Sequence, residues 1–347
     1  MLRETNVRRL HWADKTMSVM REQQLEACEK RLRTLPEFSL FGQCTDVHAE
    51  QLWQCSYQAQ EHPQMTQLHT IADLRAGVLA QLPAEAALLS MDEHLLVERL
   101  ITLDGQAELL EWEEMSAAES LVRRMWCSIS RHDGRIVLNM PAELLLPLTM
   151  ILSTHQHEEI RDRLMRHDAV IRALLYIGGL LHYEEPLYHL MNDVLNDSYA
   201  ASRTLALRYL RVAYDYAYDR SGEMLVLHPG LADPEQFIAA HPMPDGLSME
   251  LDEETMRGAM EGLLPEEQPL FDRLFGLLIG ATRPELTEEG AVEDLRMLAK
   301  QGVSLKEMQE VLSSMLLLQP TDEMLSAVEA LHRLTPRWGS LKSEALQ

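Results

Sequence analysis

The segment Cys127–Met140 reads CSISRHDGRIVLNM and is the clearest β signal in a chain otherwise patterned for helix. Asp-Gly between two alternating runs favours a two-residue hairpin, because a type I′ turn needs positive φ at both central positions. In that register His132 faces Arg135, Ile129 faces Leu138 and Cys127 faces Met140. One face then collects Cys127, Ile129, Ile136, Leu138 and Met140, and the other Ser128, Ser130, His132 and Asn139, with Val137 as its exception. A lone hairpin is marginal in water, so a third strand is expected. Met224–His228 is the best candidate.

Around this hairpin the 3.6-residue period dominates. Helices are predicted over 3–34, 46–60, 65–82, 91–103, 106–126, 155–181, 186–196, 199–219, 252–262, 266–281, 288–301, 305–318 and 322–334. Pro141 opens a further helix that Pro147 kinks. Gly302 stands at a C′ position, and Ser304 with Glu307 forms a capping box, which predicts a tight αα-hairpin over 288–318. Few aromatics (5%) and 20 Met suit a Leu/Met/Ala helical core rather than a sandwich. The expected fold is mainly α: a multi-helix, bundle-like protein with a small central antiparallel hairpin at 127–140. The Pro-rich stretch 229–246 is expected to link a helical domain at 1–228, carrying the hairpin, to a C-terminal helical domain at 247–347.

The net charge of −24 disfavours nucleic acid as a partner. Residues 1–34 carry +3 and residues 231–300 carry −11, so a basic N-terminal helix is complementary to an acidic stretch, in cis or on a second copy. Cys28, Cys44, Cys55 and Cys127 form neither a CxxC pair nor a disulfide framework, which predicts reduced thiols and a cytoplasmic protein. The first residues lack an apolar signal core. The longest apolar run, Ala173–Leu181, is far short of a membrane span.

Chemistry-bearing residues concentrate in Ser153–Asp197, where His155, His157, His167, Asp168, His182, Glu184, Glu185, His189, Asp193 and Asp197 lie. A helical wheel places His167 on the apolar face of Ile160, Leu164, Ile171, Leu174 and Leu175, with Arg161 on the opposite side. His167 is therefore expected to be buried. Leu187, Leu190, Met191 and Val194 share one face, with His189 and Asp193 opposite. His155 and His157 lie about 200° apart on a helix and cannot chelate one ion from within it.

His155, His167, Asp168 and His182 remain as candidate metal ligands. GLLHYEEP at Gly179–Pro186 resembles the apolar segment preceding the His-Asp pair of HD-type phosphohydrolases, but Tyr183 stands where the metal-binding Asp belongs. Cys44, His48, Cys55 and His62 gather four soft ligands at a spacing that matches no zinc pattern. The segments 91–103, 106–126 and the hairpin are together similar to a winged helix. Arg123, Arg124, Arg131 and Arg135 would be its phosphate contacts, on a helix loaded with glutamate. On the predicted helix 199–219, Leu205, Ala206, Tyr209, Leu210, Ala213, Tyr216 and Ala217 share a face. Arg208, Arg211, Asp215 and Asp219 take the other, while Tyr199, Tyr214 and Tyr218 stand near the edge.

There is no Gly-rich phosphate loop, G-x-S-x-G or H-E-x-x-H. The reading that follows is a helical interaction or scaffold protein, not an enzyme. It would need no cofactor and would engage a protein partner or a second copy. The alternatives are a metal-dependent, HD-like phosphohydrolase centred on 155–197, the one reading that requires a divalent cation, and a winged-helix DNA-binding protein.

Overall fold

The computed structural model describes residues 30–42, 44–61, 70–109, 112–132, 135–195, 203–231, 234–240, 253–284 and 286–338. The fold is mainly α, with two small three-stranded antiparallel sheets. In chain order the elements begin with α1 (Asp46–Cys55), α2 (Tyr57–Glu61), α3 (Ile71–Ala87), α4 (Met91–Thr102), β1 (Gln106–Glu108) and α5 (Trp112–Arg123). The hairpin strands β2 (Ser128–His132) and β3 (Arg135–Asn139) follow, then α6 (Ala142–Leu152), α7 (His155–Gly178), β4 (Leu180–His182) and α8 (Glu184–His189). A π-helical turn, Leu190–Leu195, precedes α9 (Arg203–Ala213), β5 (Asp215–Tyr218), β6 (Met224–Leu227) and α10 (Pro234–Ala240). The chain then runs through α11 (Glu253–Met260), α12 (Gln268–Leu278), α13 (Glu288–Lys300), α14 (Leu305–Met315) and α15 (Asp322–Leu334). Among the described residues no helix is long and apolar enough to cross a membrane.

Two compact units divide the described chain. One joins the residues up to Met165 to Leu190–Ala213, and the other joins Arg166–His189 to the residues from Tyr214 on. Part of the expected linker, 241–246, lies outside the described residues, as does the N-terminal helix of 3–34 up to residue 29.

In the first unit the hairpin has the register read from sequence: Ile129 pairs with Leu138 and His132 with Arg135. Cys127, Ile129, Ile136, Leu138 and Met140 are all buried, while the Asp133-Gly134 turn lies outside the described residues. The third strand is not Met224–His228 but β1, which joins the other edge of β3 with Ala107 opposite Leu138. Residues 106–108 were expected to start a helix. They are captured instead by the free edge of the hairpin, and the Leu109 amide extends the pairing by donating to the Ile136 carbonyl. Capping boxes at Thr70/Asp73 and Ser90/Glu93 start α3 and α4. α3 runs through Pro83 rather than ending before it, because Leu82 and Ala86 are buried on either side.

In the second unit β6 is the central strand of its own sheet, between β4 and β5. The predicted helices 155–181 and 199–219 therefore end early: 180–182 and 215–218 are strands, not helix. Both flank β6, whose four residues are all buried. Tyr216 and Ala217 thus belong to a strand rather than to the helix face expected for them. The αα-hairpin forms as predicted. Gly302 takes φ +75° after α13, and Ser304 and Glu307 close the box that starts α14. A bridge between Thr282 and Leu316 ties the chain after α12 to the end of α14.

Candidate functional site

His167 is buried, as the wheel requires. Its Nε2 lies 3.0 Å from the Pro186 carbonyl oxygen, which can only accept, so this nitrogen carries the proton. Its Nδ1 stands 3.4 Å from Asp168 Oδ1, the same oxygen to which the Tyr214 hydroxyl donates. His182 Nε2 meets Glu223 Oε2 at 2.8 Å. His155 is 82% exposed and faces Glu158 and Glu159. The structure thus brings His167 and Asp168 together, while His155 and His182 each engage other carboxylates. Among the described residues no group of three or more His, Cys, Asp or Glu is placed to hold a metal ion.

The remaining sequence candidates are engaged locally. Cys44 donates to the Thr45 carbonyl, and His48 Nδ1 accepts from the Thr45 amide while its ring stacks on Phe38. His62 lies outside the described residues, as does Tyr199. Cys44, Cys55 and Cys127 are free thiols. Tyr214 is buried against Asp168, and Tyr218 packs edge-on to Tyr216.

Two buried polar networks escaped the sequence reading. In the first unit Arg124 lies between Glu85 Oε2 (3.2 Å) and Glu93 Oε1 (3.0 Å). Arg208 holds the other oxygen of Glu85 at 2.9 Å and both oxygens of Glu61. Ser120 donates to Glu93 at 2.6 Å and accepts from Tyr57 at 3.0 Å. Arg208 and Arg161, each opposite the apolar face on its wheel, are nevertheless buried, and the Arg161 guanidinium donates to the Leu89 carbonyl at 2.6 Å. The arginines nominated for phosphate are all paired with glutamate: Arg123 with Glu119, Arg124 as above, Arg131 with Glu37 and Arg135 with Glu108.

In the second unit the fully buried Glu267 accepts from the Tyr176 hydroxyl and from the Leu264 amide. Lys300 Nζ stands 2.7 Å from its other oxygen and 4.1 Å from the Tyr176 ring centre. Arg296 lies 5.4 Å over the same ring and pairs with Glu293. Burial, with the Glu267 charge added, pushes the Tyr176 hydroxyl up, and burial pulls the Lys300 ammonium down. Lys300 and Arg296 share one stripe of α13, at i and i+4. Nothing local in the sequence announces Glu267 as their partner.

His228 belongs to the same cluster. Its Nδ1 accepts from the Gly230 amide, and its ring packs against Tyr176 and Trp338. Burial, followed by the Lys300 and Arg296 charges, lowers it from 6.5 to about 3. The unfolded chain therefore binds more protons than the folded one between those values. This contribution to stability is complete above 6.5 and declines as the pH falls toward 3. The expected loss is about 3 kcal/mol at about pH 4. Urea unfolding across this range checks it, and His228→Asn flattens that part of the slope.

A third group is a histidine pair, of which His157 is buried and His94 partly buried. His94 on α4 and His157 on α7 place their ring centres 5.8 Å apart, with planes 24° from parallel. His94 Nε2 lies 3.4 Å from Glu98 Oε1. Burial, then His94 and Arg161, lowers His157 to about 4. No family model, curated protein or solved structure matches this chain.

Proposed function

We propose that this chain is a non-catalytic helical interaction protein, and that its working surface is the apolar corner formed where α12 and α14 end. The observation that carries the reading is the exposure of three large aliphatic residues there: Ile279 at 65%, Leu317 at 58% and Leu318 at 82%. Their proximity follows from the backbone. The Leu317 amide donates to Ala281, and the Arg283 amide donates to Met315. Isolated exposed leucines are ordinary, whereas adjacent ones at a fixed corner favour a protein–protein contact. The internal pairing of the buried charges supports the same reading, since those groups serve the fold rather than a substrate.

The occupant we assign is a second copy of the chain, in an isologous contact that buries each corner against the other. The patch is small, so the association is weak. The free thiols fit a reducing, cytoplasmic setting. Hydrogen exchange tests the surface. Amides of 279–283 and 315–318 are expected to exchange more slowly as the protein is concentrated, and unchanged exchange contradicts the assignment.

A further inference from the structure

The first two turns of α7 are anchored by three side chains. His155, Gln156, Glu158 and Glu159 are exposed, while His157, Ile160 and Arg161 are buried. Two of those anchors carry ionisable groups, and both lie against the start of α4. The His157 ring faces that of His94, with centres 5.8 Å apart. The Arg161 guanidinium donates to the Leu89 carbonyl and lies 3.7 Å from the Met91 sulfur. α4 has attachments of its own: Glu93 caps it and receives Arg124, and Arg99 pairs with Glu114.

The surroundings of the pair suit neutral imidazoles. His157 is 3% exposed, and neither of its ring nitrogens has a hydrogen-bond partner; the same holds for Nδ1 of His94. A proton gained by His157 would place a charge with no acceptor beside a second imidazole and a guanidinium. On α4, Glu98 stands 3.4 Å from His94 Nε2 and favours a charge on that ring, which Arg161 opposes. On α5, which packs against α4, Glu114 and Arg124 are taken up by Arg99 and Glu93. Glu158 and Glu159 face the exposed His155. Burial, then Arg161, holds His94 below its ordinary value, as burial and the neighbouring charges hold His157. A base lowered by folding binds fewer protons in the folded chain. The contact is therefore complete above 6.5 and lost as the pH falls toward the His157 value of about 4.

We propose that the His94–His157 contact is an acid-sensitive latch: proton uptake by the pair sets the two rings and the Arg161 guanidinium against one another and frees the first two turns of α7, while α4 stays in its own network. Release uncovers Ile160, which is fully buried when the latch is shut. The device is independent of the apolar corner proposed above.

The test is hydrogen exchange of the full chain at about pH 7 and about pH 4.5, read by mass spectrometry and corrected for the intrinsic pH dependence of exchange. Amides of 158–161 are expected to lose protection about tenfold or more at the lower pH, while those of α4 keep theirs. His94→Phe/His157→Phe retains two facing rings without titratable nitrogens and is expected to keep 158–161 protected at both pH values. His228→Asn is expected to behave like the wild-type chain at 158–161. Unchanged protection in the wild-type chain, an equal loss in the double variant, or loss from α4 together with 158–161 overturns the proposal. Should the double variant fail to fold, proton NMR titration of the wild-type histidines decides. A His157 ring that titrates below the ordinary range, in step with the loss at 158–161, supports the latch, and one that titrates at 6.5 or above overturns it.

Discussion

Replacing Glu93 by Ala is expected to destabilise the first unit by about 3–5 kcal/mol, the range for removing one partner of a buried ion pair. Glu93 is fully buried and serves three structures at once. It caps α4 by accepting from the Ser90 amide, receives the Ser120 hydroxyl, and neutralises Arg124. The Ala variant leaves Arg124 with Glu85 alone, and Glu85 is shared with Arg208. The double variant Glu93→Leu/Arg124→Met is expected to be less destabilised than Glu93→Ala, because it removes both charges from the interior together. Urea unfolding of the three proteins checks the order. A double variant at least as unstable as the single one would show that the network adds more than charge neutrality.

Trp338→Ala is expected to cost a similar amount in the second unit, about 3–5 kcal/mol. The indole is almost completely buried, and Nε1 donates to the Tyr176 carbonyl at 2.9 Å. The backbone amide of Trp338 donates to the Lys300 carbonyl, so the residue closes the turn of chain over the Glu267 cluster. Its ring lies against Gly179, which takes φ +79° between α7 and β4. A Cβ at Gly179 would come within 2.7 Å of that ring, so Gly179→Ala meets both a disfavoured backbone and a clash. Trp338→Phe keeps most of the apolar area but loses the donor to Tyr176, and its expected cost is smaller. Thermal and urea unfolding of the three variants separate volume from hydrogen bond.

The parts of this fold that were legible in the sequence share one property: their determinants are local. The hairpin register followed from a two-residue turn and a period of two, and the buried face contains the five residues that pattern selected. The α13–α14 hairpin followed from a glycine and a capping box within three residues of each other. His167 was placed in the interior by its neighbours on one helix face.

What was not legible depends on partners distant in sequence. Strands β1, β4 and β5 are three or four residues long, too short to display a period, and exist because a neighbouring strand offers an edge. Arg208 looked solvated on its wheel because its carboxylates, Glu61 and Glu85, lie 147 and 123 residues away. Histidine density was the stronger signal in 153–197, yet the pair with unpaired nitrogens joins His157 to His94, which belongs to a different helix. His155 and His157, two residues apart on α7, have different surroundings: His155 is exposed beside Glu158 and Glu159, and His157 is buried against His94.

The central claim is that the apolar corner at Ile279, Leu317 and Leu318 mediates association. Sedimentation equilibrium of the full chain and of Leu317→Asp/Leu318→Asp tests it most directly. Wild-type protein is expected to shift toward dimer as concentration rises. The shift should strengthen with salt, because screening relieves repulsion between two chains of charge −24 while leaving apolar contact intact. The double variant, folded by circular dichroism, is expected to stay monomeric under the same conditions. A wild-type chain that remains monomeric throughout, or a double variant that associates equally well, would contradict the account.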